Sequence, residues 1–295
     1  MEVCPLDLIV QPQNHHPKKA IKLHPTFTAD QRTEALAFFN ANNYLVLSDA
    51  LSPADLTFLN AFVDRSKKDI PSEWGVDTAD IHSHGQILVH HPELDPYTRP
   101  ETTYPLVKAI LGPDARFAQF DFRDVPDGIG EKAAMHFHRD RGAVPPDFWA
   151  AHEKDCTFLC AIYYLNDVGA DDTCFCVVPN SQGHADIDEA RAQMGDAYAE
   201  VPIRGPAGTC VFYNIGIYHT RRPGRNDAGR RTLHQYFSRE ANPPLTNWAL
   251  VPRRLAEHAD PATRAYYSHW TDLMHDYAAS FTPEFYAEHI GQKKT

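Results

Sequence analysis

The chain has no apolar run long enough to cross a bilayer, and its opening residues, MEVCPLDLIVQPQ, lack the basic stretch followed by an apolar one that marks a secretory leader. A soluble, cytoplasmic protein without a membrane partner is the expectation. Basic residues are in deficit: 28 Lys and Arg stand against 39 Asp and Glu, for a net charge of −11 at pH 7. That balance argues against a nucleic-acid partner, because neutralising phosphates needs a surplus of cations. The six cysteines (Cys4, Cys156, Cys160, Cys174, Cys176 and Cys210) include no CxxC pair. They are too sparse for the disulfide framework of a small secreted domain, so buried, reduced thiols are expected. There is no internal repeat and no low-complexity linker, and strands do not alternate regularly with helices, which excludes a βαβ array.

What is present is an ordinary globular composition, with 43% hydrophobic, 23% charged and 11% aromatic residues over 295 positions. This suits one large domain with a substantial core. We read a single domain over 1–295, with a helical frame over about 28–112, a β-barrel core over 113–240 and a helical region over 241–295. In the frame, apolar spacing at Ala35, Phe38 and Phe39 predicts a helix that runs into a strand from Tyr44 to Leu47. Ser52-Pro53-Ala54-Asp55 then supplies an N-cap, a proline at the first helical position and an acid at the third, with Leu56, Leu59, Phe62 and Val63 as the buried stripe. A third helix, from Thr103 to Leu111, stops at Gly112-Pro113. From Arg116 the texture changes to short strands: RFAQFDFRDV, CTFLCAIYYLNDV, TCFCVVP, GTCVFYNIGIYH and RTLHQYFSRE. Such strands suggest a sandwich or open barrel. The tail from about Asp260 is expected to be helical, with Tyr266, Tyr267, Trp270, Leu273, Met274 and Tyr277 covering a neighbouring surface.

The chemistry concentrates in AAMHFHRDRG, where His138 and Asp140 share one side of an extended chain. His219, at the end of the strand-like run GTCVFYNIGIYH, can complete a set of two imidazoles and one carboxylate. That donor set suits iron(II) and leaves positions free for a bidentate 2-oxo acid and dioxygen, whereas a structural zinc site would be closed. Further on, RRTLHQYF alternates so that Arg230, Thr232, His234 and Tyr236 face one way and Leu233 and Phe237 the other. A guanidinium at 230 can clamp a carboxylate bidentately. His136 shares the orientation of His138 and is a rival ligand, or else a group that supports the cavity.

These pieces together resemble the phytanoyl-CoA dioxygenase (PhyH) family of iron(II)/2-oxoglutarate oxygenases. The motifs that carry the resemblance are LAFFNANNYLVLSDALSPADL, HFHRD, IYYLNDVGADDTCFCVVPNSQGH and PAGTCVFYNIGIYH, in that order over roughly residues 30 to 240. The resemblance implies a mainly β fold with flanking helices, a double-stranded β-helix of jelly-roll or cupin-like form. It implies iron(II) on His138, Asp140 and His219, and 2-oxoglutarate on Arg230, with dioxygen as oxidant and ascorbate as reductant. Arg221 stands where the family commonly has a serine, so Thr220 is the substitute contact to 2-oxoglutarate, with Gln119 a further candidate. An aspartate at 140 disfavours the halogenating variant of this chemistry. His136, Arg141 and Arg221 are candidates for the substrate side. The basic cluster of Arg141, Arg221, Arg222, Arg225 and Arg231 is either a receptor for an anionic group or a solvated turn. His82, His84, His90 and His91 fall where the family builds its substrate wall, and are expected to be wall or surface residues rather than ligands. The expected partner is a small molecule, in secondary metabolism, oxidised by hydroxylation, desaturation or cyclisation. The expected assembly is a monomer or a homodimer. Two alternatives stand beside this reading: a non-oxidative, cupin-type metal enzyme, and a catalytically silent binding protein that keeps the fold.

Overall fold

The computed structural model describes residues 24–267 apart from 78, 86, 143, 226–228 and 247–248. The tail positions Trp270, Leu273, Met274 and Tyr277, and most of the N-terminal lead, lie outside them. Helix α1 (Arg32–Asn42) buries Ala35 and Phe39, with Phe38 only partly covered, and ends on Asn43 in the left-handed region, whose N–H bonds the Phe39 carbonyl. Strand β1 (Tyr44–Leu47) follows. Helix α2 (Pro53–Asp69) starts on the capping box that Ser52 and Asp55 spell, and buries Leu59, Phe62 and Val63. Two short strands, β2 (Gly75–Val76) and β3 (His82–His84), lead through tight helical turns at Ile87–Val89 and Pro92–Thr98 to α3 (Tyr104–Leu111). That helix stops at Gly112, whose φ of 105° is open to glycine.

The β-rich part contains β4 (Ala115–Val125), α4 (Pro146–Ala151), β5 (Phe158–Tyr164), β6 (Cys174–Val177), α5 (Ile187–Met194), β7 (Val201–Ile203), β8 (Cys210–Asn214), β9 (His219–Arg222) and β10 (Arg230–Arg239). Helices α6 (Arg253–Ala256) and α7 (Pro261–Tyr267) follow. Among the described residues the strands form a larger antiparallel sheet, β1-β8-β5-β10-β4-β3-β2, and a smaller one, β7-β6-β9. Alternation decides what each face does. The outer face of the larger sheet (Phe120, Phe122, Tyr163, Leu233 and Phe237 among others) packs under residues of α1, α2, α3 and α7. Its inner face (Val46, Cys160, Ile162, Tyr164, Val211, Tyr213, Tyr236) meets Phe175, Val177 and Ile203 of the smaller sheet. Two facing antiparallel sheets with helices on the outside constitute the expected double-stranded β-helix. Cys160, Cys174, Cys176 and Cys210 are buried and free, and burial pushes the Cys176 thiol up to about 12.

One element departs from the sequence expectation. The run GTCVFYNIGIYH is not a single strand. The Asn214 side chain accepts the Gly216 N–H at 2.9 Å and its carbonyl accepts the Ile217 N–H at 3.1 Å, closing a turn. An asparagine that satisfies its own turn in this way outcompetes the strand. His219 therefore opens β9, in the other sheet, and HTRR is strand rather than loop.

Candidate metal centre

Residues 135–140 run beside β9 without joining it as a full strand. The Met135 N–H bonds the Arg221 carbonyl at 3.0 Å, and the Asp140 N–H bonds that of Ile215 at 3.3 Å. Between them, His138 and His219 exchange both main-chain hydrogen bonds, each 3.0 Å, which is the hydrogen-bonded pairing of an antiparallel bridge. Their rings are thereby brought to 4.5 Å between centroids.

The ring orientations are fixed from behind. His138 Nδ1 faces the His136 carbonyl and His219 Nδ1 faces the Ile217 carbonyl, each at 3.0 Å. A carbonyl only accepts, so each Nδ1 carries the proton and each Nε2 presents a lone pair. The Nε2 atoms lie 3.6 and 3.4 Å from the Asp140 carboxylate oxygens. Tyr213 and Tyr236 donate their hydroxyls to Asp140 Oδ2 at 3.0 and 3.1 Å, and the Phe175 and Tyr213 rings wall His219. Burial opposes charge on Asp140, but His219, His138 and Arg123 outweigh it and hold the carboxyl well below the usual range. Burial, and then the neighbouring His219, lowers His138. The set thus pairs an ionised carboxylate with two imidazoles whose Nε2 atoms face it, the donor types a metal requires. The three ligand atoms lie within 4.8 Å of one another, so the donors fit a divalent transition metal and suit iron(II).

Arg230 starts β10 on the inner face, with Thr232, His234 and Tyr236, all buried. Its guanidinium lies beside Tyr164, whose hydroxyl donates to the Ile203 carbonyl at 2.9 Å. Its buried Nε has no hydrogen-bond partner among the described residues. A buried cation with an unused donor has the chemistry to receive an anion. Gln119 shares this interior, with its amide donating to Asp121 at 3.3 Å.

The remaining candidates separate. Thr220 falls on the opposite face of β9 from His219 and donates its hydroxyl to the Met135 carbonyl, which braces residues 135–138 against β9. His136 is exposed and contributes its carbonyl rather than its ring to the cluster. Arg141 is exposed as well. Arg221 is buried, donates Nε to the Ala133 carbonyl, and is pushed down to about 10 by burial and by Arg230. It lines a cavity of about 930 Å³ together with Glu73, Asp77, Asp121, Arg123 and Lys132. Elsewhere in the basic cluster, Arg231 holds Asp64 at 2.6 Å and Asp124 at 3.2 Å, and Arg225 lies 3.5 Å from Asp171.

Sequence reasoning passed over Asp121 and Arg123, which ion-pair at 3.1 Å inside the fold. The alternation in RFAQFDFRDV that singles them out is the same signal that singles out Arg230 in β10. It also passed over Glu73, which receives His84 and His91 at 2.9 and 3.0 Å.

A double-stranded β-helix that brings two histidines and an aspartate together, with a buried arginine on the same inner face, has the arrangement of a candidate metal centre. A model of the phytanoyl-CoA dioxygenase (PhyH) family matches residues 39–232, and the chain belongs to that family. No curated protein sequence matches it significantly. Among solved structures it is similar to the non-heme alpha ketoglutarate dependent epimerase SnoN from nogalamycin biosynthesis, at TM-score 0.59 and 16% identity over 72% of this chain and 84% of that one. The carbocyclase SnoK of the same biosynthesis gives 0.58 and 19%, over 73% and 87%. AviO1 from Streptomyces viridochromogenes Tue57 gives 0.58 and 21%, over 72% and 97%. At these identities the likeness is one of fold.

Proposed function

We propose that the protein is an iron(II)- and 2-oxoglutarate-dependent oxygenase that oxidises a small, polar metabolite in natural-product biosynthesis. The carrying observation is the convergence of His138, Asp140 and His219, with both Nδ1 atoms pinned by main-chain carbonyls. These three residues would hold the iron, and Arg230, with its unpartnered Nε, would take the distal carboxylate of 2-oxoglutarate. When bound, iron supplies the oxidising power of dioxygen, coupled to decarboxylation of 2-oxoglutarate.

The chain's own residues do the rest. Tyr213 and Tyr236 fix Asp140 through Oδ2. Phe175 and the apolar inner faces keep water from His219. Arg123, Arg221 and Lys132 offer cations and Asp77 and Asp121 anions along the cavity, with Ile81 and Met135 among its few large apolar walls. Such a lining favours a polar substrate over a long acyl chain. Hydroxylation is the simplest outcome, and placement of the substrate decides between it and desaturation or cyclisation.

The test supplies iron(II), ascorbate and 2-oxoglutarate and measures succinate. The expected result is uncoupled succinate formation and a visible absorption band when 2-oxoglutarate joins the iron protein without oxygen, both lost in Asp140→Ala. Absence of the band and of succinate in the wild type overturns the oxygenase reading in favour of a non-oxidative metal protein.

A further inference from the structure

We propose that Glu73, His84 and His91 form a second metal site, for a zinc(II)-class ion, in the wall of the cavity. Three separate stretches build it. Glu73 closes the short helical turn after α2, His84 ends β3, and His91 joins the two turns that precede α3. Chain segments that meet only in the fold deliver two imidazole nitrogens to one carboxylate oxygen: His84 Nε2 at 2.9 Å and His91 Nε2 at 3.0 Å from Glu73 Oε2. All three ligand atoms lie within 4.8 Å of one another, as close as those of His138, Asp140 and His219.

The surroundings are those of a ligand set. The imidazole side chains are 4% and 11% exposed. The Trp74 ring meets His84 edge-on at 5.5 Å and Phe62 meets His91 edge-on at 4.9 Å, so both rings are held in place. Trp74 donates its indole N–H to Ser66 and takes no part itself. Behind His91, Glu93 Oε1 stands 3.7 Å from Nδ1, a carboxylate placed to polarise the imidazole from its far side.

Two histidines and one glutamate form a donor set used by zinc when a fourth position is left open. Here Glu73 and His84 both line the cavity, so that position faces the space where a water or a substrate oxygen can enter. The ion would tie the turn at Glu73, β3 and the segment before α3 into one wall. The site shares no ligand with His138, Asp140 and His219, and stands or falls independently of the oxygenase reading.

Hydrogen bonds from two imidazoles to a carboxylate explain the same distances without a metal, so the experiment must separate the two. Glu73→Gln does this: the amide oxygen still accepts from both imidazoles, while the anionic ligand is lost. Metal-depleted protein is titrated with zinc(II) and counted by native mass spectrometry, with cobalt(II) absorption as a second readout. Each variant is checked for folding by circular dichroism, with His91→Gln in reserve. The expected counts are two zinc ions in the wild type, one in Asp140→Ala/His219→Ala, one in Glu73→Gln and none in the combination. Zinc should raise the melting temperature of Asp140→Ala/His219→Ala and not of the combined variant. If Asp140→Ala/His219→Ala binds no zinc, or Glu73→Gln leaves the count unchanged, the proposal is overturned. Either result leaves the succinate assay of the wild type untouched.

Discussion

Arg230 is the residue whose surroundings demand a partner most plainly, since a cation this deeply buried is costly unless an anion meets it. Burial lowers its affinity for protons, and yet a guanidinium keeps its charge at any pH the protein meets. Removing it takes away charge-assisted hydrogen bonds worth about 2–3 kcal/mol, which converts to roughly a hundredfold in binding. Arg230→Leu is therefore expected to raise the KM for 2-oxoglutarate about a hundredfold and to leave kcat at saturating co-substrate close to the wild-type value. Steady-state kinetics with 2-oxoglutarate varied will check this, and an unchanged KM would move the clamp elsewhere in the interior. His138, Asp140 and His219, which the structure brings together, and Arg230, which it buries, are residues that identity and strand phase suffice to single out. The hydroxyl partner of Thr220 was not legible, because strand phase puts it on the far side of β9 from His219 and only the pairing of β9 with residues 135–138 brings Met135 to it.

Among the elements, the smaller sheet positions the site, because β9 carries His219 and pairs with β6. Just past β9, Gly224 lies so close to the chain leading into β6 that an added Cβ would come within 2.2 Å of main-chain atoms of Asp172 and Thr173. Backbone cannot swing away as a side chain can. Gly224→Ala is expected to destabilise the protein by about 1–3 kcal/mol, the cost of overpacking, and to weaken metal binding by tilting β9. Urea unfolding measures the first effect and metal titration the second; a variant as stable as the wild type would mean the two chains are not in contact. Local signals made the helical frame legible: Ser52 through Asp55 spell the start of α2, and Gly112 the end of α3. The break between β8 and β9 was not legible, because it rests on the Asn214 side chain turning onto Gly216 inside an otherwise strand-like run. Convergence of Glu73 with His84 and His91 was hidden for a related reason, since irregular segments carry no periodicity to read.

At the scale of the whole molecule, buried histidines set the response to acid. Burial pushes His24, His84, His138 and His234 below their ordinary value of 6.5, His234 the furthest. A histidine with a depressed native pKa binds fewer protons folded than unfolded, so its contribution is complete above 6.5 and is lost as the pH falls below that. Metal-depleted protein should show a urea midpoint that drops between pH 7 and pH 5. His234→Gln should flatten that drop, by up to about 1.4 kcal/mol per pH unit for one proton. A profile level across this range would show that the imidazoles are hydrated in the native state. The pinning of His138 and His219 by main-chain carbonyls has a consequence of another kind. Since main-chain carbonyls, not side chains, face Nδ1 of both rings, substitutions along the cavity leave those two hydrogen bonds in place while residues 135–140 stay paired with β9. The candidate ligand set is inherited with the backbone, and the wall around it is free to diverge toward new substrates.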